Sequence, residues 1–393
     1  MMNTTTLPQI TALPKQLDKN LPVNATVPIA DAWAGGCFVL LLALGLLSNG
    51  YAWIHDQLTP RTVDWPSFMV GEPMQQLAHA LAKAELPVTA AQIERGLSWQ
   101  VSSDLGPRVR EGERDWLFLT DELTPHAKGA QSAANRAQQV IALRQRLAAD
   151  GIQLLVVVVP DKSRIAAAHL GHLLRPAAFT DRVKQWTEPL AQAGVDVLDL
   201  SAALATLERQ GESAFLRTDS HWTEAGAEAA AALVAQHIKS LRALPPFQPS
   251  ASRVFLKDRV TALRPGDLVR LAGLDGLPDW MQPRPELAQQ SRFEMMREPA
   301  VGSTANAGDA DLFGDAELPS IALVGTSFSR NSNFVSFLER GLRAQVANFA
   351  LDGGDFDGAA RAYLRSAAFK QTPPKLLVWE IPERVLSADL NSR

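Results

Sequence analysis

The chain holds a single cysteine, Cys37, among its 393 residues, so no intrachain disulfide can brace the fold. Positive charge is not in excess either. Lys and Arg number 38 against 42 Asp and Glu, for a net charge of −4 and a pI near 6.0. No basic field exists to draw a nucleic acid, and that class of function is set aside. Neither a His and acidic spacing for a metal nor a glycine-rich phosphate cradle occurs, so no metal and no cofactor is expected. Internal repeats and heptad arrays are absent too. What remains is ordinary for a globular protein with a sizeable core: 46% hydrophobic and 20% charged residues.

Long hydrophobic runs are almost missing. The exception is 32–54, "AWAGGCFVLLLALGLLSNGYAWI", which carries no charge and is long enough to cross a bilayer as one helix. Trp33, Tyr51 and Trp53 stand near its ends, where amphipathic rings favour the interface. About thirty polar residues precede it, which argues against a cleaved signal peptide. Cys37 precedes the apolar run instead of following it, which argues against lipidation. Lys15 and Lys19 lie before the segment and favour an inside N-terminus. The expectation is a single-pass signal anchor with the bulk of the chain outside the cytoplasm.

Residues 1–31 read as a disordered cytoplasmic tail, 55–105 as a helical linker and 106–393 as the main α/β domain. Within that domain the pattern alternates. An amphipathic helix over 132–150 precedes the continuous β-branched run "IQLLVVVVP" at 152–160, as expected of a strand buried on both faces. Further strands are predicted at "VDVLDL", "SIALVG", "AQVANFAL" and "KLLVWEIP", separated by helices. Strands alternating with helices of this length predict a doubly wound, mostly parallel α/β sheet with helices on both faces. Residues 244–318, rich in Pro, Gly and Asp, are predicted to be an insertion with little regular structure.

Reactive groups in such a sheet collect at the carboxyl ends of its strands. After "SIALVG", Ser327 follows Gly325 by two positions, in a turn that opens a helix. That is the place of a nucleophile facing backbone N–H groups, and equally the place of an ordinary Ser or Thr cap. The stretch "RTDSHWTEAG" separates the two readings. Asp219 and His221, two apart in an extended segment, point the same way, so the carboxylate can fix the imidazole tautomer and leave the other nitrogen for a serine proton. The rival for His221 is a solvated loop histidine. Gly353 and Gly354 after "AQVANFAL" supply either an approaching N–H or a plain turn. Lys162, Arg164, Glu380, Glu383 and Arg384 sit at strand ends, as substrate contacts or as solvated charges.

The segments "TDSHWT", "VGTSFS" and "VWEIPER", with "RDWLFL", "PDKSRI" and "GDLVRL", resemble the SGNH-hydrolase-like polysaccharide O-acetyltransferases that modify alginate and bacterial cellulose. The resemblance covers about 105–390. It implies Ser327 as nucleophile, His221 as base and Asp219 as orienting acid. It further implies periplasmic work on an exported polysaccharide, among other exopolysaccharide export proteins and with a membrane-bound O-acyltransferase as acetyl supplier. Two departures stand out: Gly-Thr-Ser replaces Gly-Asp-Ser, and no Asn follows the later strand. The amides of Ser327 and Gly354 are the expected oxyanion donors, with Arg384 and Lys162 as expected substrate contacts. An esterase and a non-catalytic polysaccharide-binding scaffold remain as alternatives.

Overall fold

The computed structural model describes residues 29–54, 64–82, 85–241, 252–297 and 319–389. The tail expected over 1–31 lies, up to residue 28, outside the described residues. The chain divides into two compact units, Met1–Ala91 and Gln92–Arg393.

In the first unit the uncharged run forms a helix, Ile29–Ile54. Its 26 residues span about 39 Å, enough for a bilayer core. Over Trp33–Tyr51 the mean hydropathy is 1.6 and none of the window is buried within the protein. An apolar surface of this size left open to its surroundings is compatible with a single-pass anchor. Helices Trp65–Met69 and Glu72–Ala82 follow.

The second unit begins at Gln92, ahead of the boundary expected at 106. Trp99, on the helix Glu85–Ser102, belongs to a core cluster with Leu105, Leu117 and Leu268. Two short antiparallel strands, β1 (Val109–Glu111) and β2 (Leu117–Leu119), come next. The main sheet is built from β3 (Gln153–Val159) and β4 (Asp196–Asp199), then, beyond a hairpin of β5 (Ser252–Arg264) and β6 (Glu286–Arg297), from β7 (Ile321–Val324), β8 (Val346–Asn348) and β9 (Leu376–Pro382). Its order is β4-β3-β9-β7-β8, parallel throughout. Alternate residues of β3 divide between two cores: Leu155, Val157 and Val159 enter one, Leu154, Val156 and Val158 the other. That double burial is why β3 reads as a continuous apolar run and β9 as one interrupted only by Glu380. The last strand inserts between β3 and β7, so the ends of these three meet at the place where a doubly wound sheet opens a crevice.

Of the stretch 244–318, the described residues 252–297 depart from the prediction of little regular structure. These residues form the long antiparallel hairpin of β5 and β6, paired from Ser252↔Arg297 to Arg264↔Glu286 with a bulge at Leu256/Asp258. The pattern is hard to read because Phe255, Leu263, Leu287 and Met296 stand exposed among the charges and the bulge shifts the alternation midway. Its anchors are long-range: Phe293 packs edge-on to Phe337 at 5.1 Å, and Glu224 accepts the Ser291 N–H at 2.8 Å.

Candidate active site

At the end of β7 the chain turns sharply through Gly325 and Thr326 into a 3-10 turn, Ser327–Ser329. Glycine is required at 325 because a Cβ there would lie 2.5 Å from Glu380 Oε2. Glu380, on the neighbouring β9, supports the turn from within the protein. Its carboxylate accepts the Thr326 N–H at 2.6 Å, the Thr326 hydroxyl at 3.0 Å and the Ser329 hydroxyl at 3.0 Å. Burial raises the Glu380 pKa, and these donors act against the rise. Ser327 is thus half-exposed on a turn whose flanking hydroxyls are both committed to one buried acid.

The segment 214–223 is a tight loop closed by Thr223 N–H to Ala214 O at 2.9 Å and Leu216 N–H to His221 O at 3.0 Å. Trp222 anchors it, fully buried with its ring 5.0 Å from Phe328 and from Phe334. Further donors and acceptors fix its backbone: Glu286 receives the Arg217 and Thr218 amides at 2.8 and 3.2 Å, and Asp267 receives the Ser220 amide at 2.6 Å. Held this way, the His221 ring lies with Nδ1 2.6 Å from Asp219 Oδ1 and Nε2 2.6 Å from Ser327 Oγ. Asp219 also accepts the His221 backbone N–H at 3.0 Å and Arg264 Nε at 3.4 Å. Burial works to raise the Asp219 carboxyl, but the His221 hydrogen bond and charge, with Arg264, outweigh it and hold the acid well below the ordinary carboxylate range. An ionised acid, an imidazole and a hydroxyl in line can move a proton off the hydroxyl.

These residues open into a cleft of about 900 Å³. Its other wall comes from the end of β5 and the β5–β6 connection, with Arg264, Arg270 and Arg284 among its lining and Asp219, Asp267, Asp275 and Asp352 opposite in sign. Asn331 also lines it, donating to Ser327 O at 2.9 Å and accepting from Arg264 at 3.1 Å. Among the described residues, Asp219, His221 and Asp267 offer ligand-type atoms within 4.8 Å of one another. Both imidazole nitrogens are already engaged, which makes the group an acid–base cluster and not a cation cage.

Three expected contacts are corrected. Lys162 is not at the surface for substrate. It is 1% exposed, and its ammonium donates to Leu117 O at 2.6 Å and to Arg217 O and Asp219 O at 2.9 Å each. Gly354 does not present its amide to the site, because that N–H is spent on Leu351 O at 3.0 Å. Arg384 does not line the cleft; its guanidinium sits 5.3 Å from the Phe328 ring centroid. Arg164 is likewise committed, bonded to buried Glu383 at 2.6 and 2.8 Å. The residues that sequence reasoning passed over are Arg264, Asp267 and Asn331. Asp267 stood in the quoted "GDLVRL", yet nothing local tied that segment to His221.

Residues 109–383 match the family described as SGNH hydrolase-like domain, acetyltransferase AlgX. The chain is 35% identical over 320 residues to the probable alginate O-acetylase AlgJ of Pseudomonas aeruginosa, covering 79% of this chain and 80% of that protein. Its fold is similar to the O-acetyltransferase domain of Pseudomonas putida AlgJ, with a TM-score of 0.60 and 32% identity over 73% of this chain and 96% of that one. Pseudomonas aeruginosa AlgX aligns with a TM-score of 0.51 and 26% identity, over 72% of this chain and 68% of that one. The sheet and its flanking helices are an SGNH-like α/β fold.

Proposed function

Because this chain belongs to the SGNH hydrolase-like, AlgX-type acetyltransferase family, we propose that it moves acetyl groups through Ser327 onto hydroxyls of an exported uronate polysaccharide of the alginate type. The observation that carries the reading is the relay Asp219–His221–Ser327, with both hydrogen bonds at 2.6 Å, opening on a cleft lined by Arg264, Arg270 and Arg284. Arg264 and Arg284 already pair with Asp219 and Asp115, so Arg270 is the guanidinium best suited to a carboxylate of a uronate chain.

Ser327 Oγ attacks the carbonyl of the donor ester while His221 Nε2 takes its proton. The Ser327 amide, at the head of its turn, supports the tetrahedral oxyanion. Collapse expels the donor alcohol, which leaves with that proton, and the acetyl group stays on Ser327. A sugar hydroxyl then gives its proton to His221 and attacks the acetyl-serine, and Ser327 recovers its proton as the sugar ester departs. Water competes for the same intermediate. Transfer prevails when the cleft holds the sugar hydroxyl in place, where positioning is worth effective molarities of about 10⁵ M or more. The acetyl supplier in this scheme is a membrane-embedded O-acyltransferase.

With a small acetyl ester alone, the full chain should release acetate slowly. Added oligouronate should gain acetyl groups, read by mass spectrometry, while the steady-state acetyl-enzyme declines. Acetate release at one rate with every acceptor and no acetylated sugar would make it an esterase. Acetylation of a neutral glucan in preference to a uronate would move the substrate to the cellulose type.

The helix Ile29–Ile54 is proposed to hold the chain in the inner membrane with the sheet-bearing unit in the periplasm. The chain should stay in the membrane fraction after an alkaline carbonate wash, and a reporter fused after residue 60 should be active only outside the cytoplasm. A cytoplasmic reporter signal would remove this topology.

A further inference from the structure

Asp267 reaches the active site from outside the sheet. It follows β5, in a turn that presses against the histidine loop so closely that a Cβ at Gly266 would lie 1.8 Å from Thr218 O. Only glycine allows that approach, and the next residue is delivered onto the loop. Asp267 Oδ1 accepts the Ser220 N–H and Oδ2 the Ser220 hydroxyl, each at 2.6 Å. The Asp267 N–H points back to Asp219 Oδ2 at 3.4 Å. Its carboxylate oxygen Oδ2 stands 3.6 Å from His221 Nδ1, the nitrogen already bonded to Asp219 at 2.6 Å.

Two carboxylates therefore face one imidazole nitrogen. The other charges around them are few and placed: Arg264 at Asp219 Oδ2, Lys162 behind the loop on Asp219 O, Glu286 on the Arg217 and Thr218 amides, and Arg270 in the cleft wall. Arg264 offsets one carboxylate, leaving one negative charge facing the ring. We propose that Asp267 is a second acid for His221, a positioning residue that fixes the loop through Ser220 and stabilises the imidazolium formed when Ser327 gives up its proton. This rests on the triad reading above. Burial, and next the Asp219 charge, push the Asp267 pKa up, the cost of placing two acids together. A site that needed only the Asp219 bond would not carry that cost.

The test uses sulfonylation of Ser327 by phenylmethylsulfonyl fluoride, followed against pH on the full chain in detergent, which requires neither donor nor acceptor. Asp267→Asn keeps an acceptor for the Ser220 N–H and removes the charge. The acid limb of its rate–pH profile should move about one unit lower, the small end of what a charge within about 4 Å does to a titrating neighbour. Its plateau should fall by about tenfold. Ser220→Ala removes a hydroxyl bond to Asp267 and leaves the charge, so its limb should stay in place. Asp267→Ser serves as a second uncharged variant should Asn disturb folding. An acid limb unmoved in both uncharged variants would reduce Asp267 to a loop brace and overturn the proposal. Failure of the wild type to be labelled at Ser327 would instead sink the triad reading itself.

Discussion

Replacing Ser327 by alanine should lower acetyl turnover by about a millionfold and leave the fold as it is. The size follows from the way such groups act as a unit: without the nucleophile, the base and acid have nothing to activate, and only binding and oxyanion support persist. Structure explains why the loss should be confined to chemistry. Ser327 is half-exposed and its hydroxyl bonds to His221. The turn beneath it is held by Thr326 and Ser329 on Glu380, and neither bond involves Ser327 Oγ. Thermal stability should therefore change by no more than about 1 kcal/mol, the net worth of the one hydrogen bond to His221 that is lost. Nor can a neighbour take over, because the Ser329 hydroxyl is buried and committed to Glu380. Mass spectrometry of the enzyme mixed with an acetyl ester should find an acetylated peptide spanning 327 in the wild type and none in the variant. A variant that keeps even a hundredth of the wild-type rate at normal stability would remove Ser327 from the mechanism.

The parts of this site legible in the sequence are those whose meaning is local. β3, β7 and β9 read as strands because burial on both faces leaves apolar residues nowhere to alternate. Asp219 and His221 read as a pair because two residues of extended chain bring them to one side. Ser327 was legible from its place after a strand and a glycine. What stayed hidden depends on distant backbone. A lysine at a strand end looks solvated unless the carbonyls of Leu117, Arg217 and Asp219, 45 to 57 residues away, are known to converge on it. Gly354 looked available because nothing in "DGGDF" reveals that Leu351 O takes its N–H. The β5–β6 hairpin was hidden for a different reason: its connection is long, a bulge shifts its register and apolar residues such as Leu263 and Leu287 stand on its exposed face, so it lacks both the tight turn and the clean alternation that mark such pairs.

Lys162→Met should lower turnover by about a hundredfold, the scale expected when catalytic groups lose their placement by about an ångström. Three backbone carbonyls converge on this ammonium, and two of them, Arg217 O and Asp219 O, belong to the loop that aims His221. The rings of Trp116 and Phe118 lie 5.1 and 5.2 Å from the charge. Burial pushes the Lys162 pKa down to about 8, against the pull of Glu122, Glu286, Asp219 and Asp267. The ammonium has three protons for three carbonyls; the neutral amine has two. Activity should thus be held below pH 8 and decline as pH rises through about 8. Stability should move the other way. From about 8 up to the ordinary 10.5 the unfolded chain binds a proton at this lysine that the folded chain does not. Stability from this group alone therefore rises with pH across that window, by up to about 3 kcal/mol. Opposite trends separate a loosened loop from a melting protein, since unfolding would drive both down together. The comparison is turnover and urea midpoint of wild type and Lys162→Met from pH 7 to 10.5. In the variant the rate should be low but flat through pH 8, and the rise in midpoint should be gone. An alkaline limb of wild-type shape persisting without Lys162 would assign that limb elsewhere and leave the lysine a packing role only.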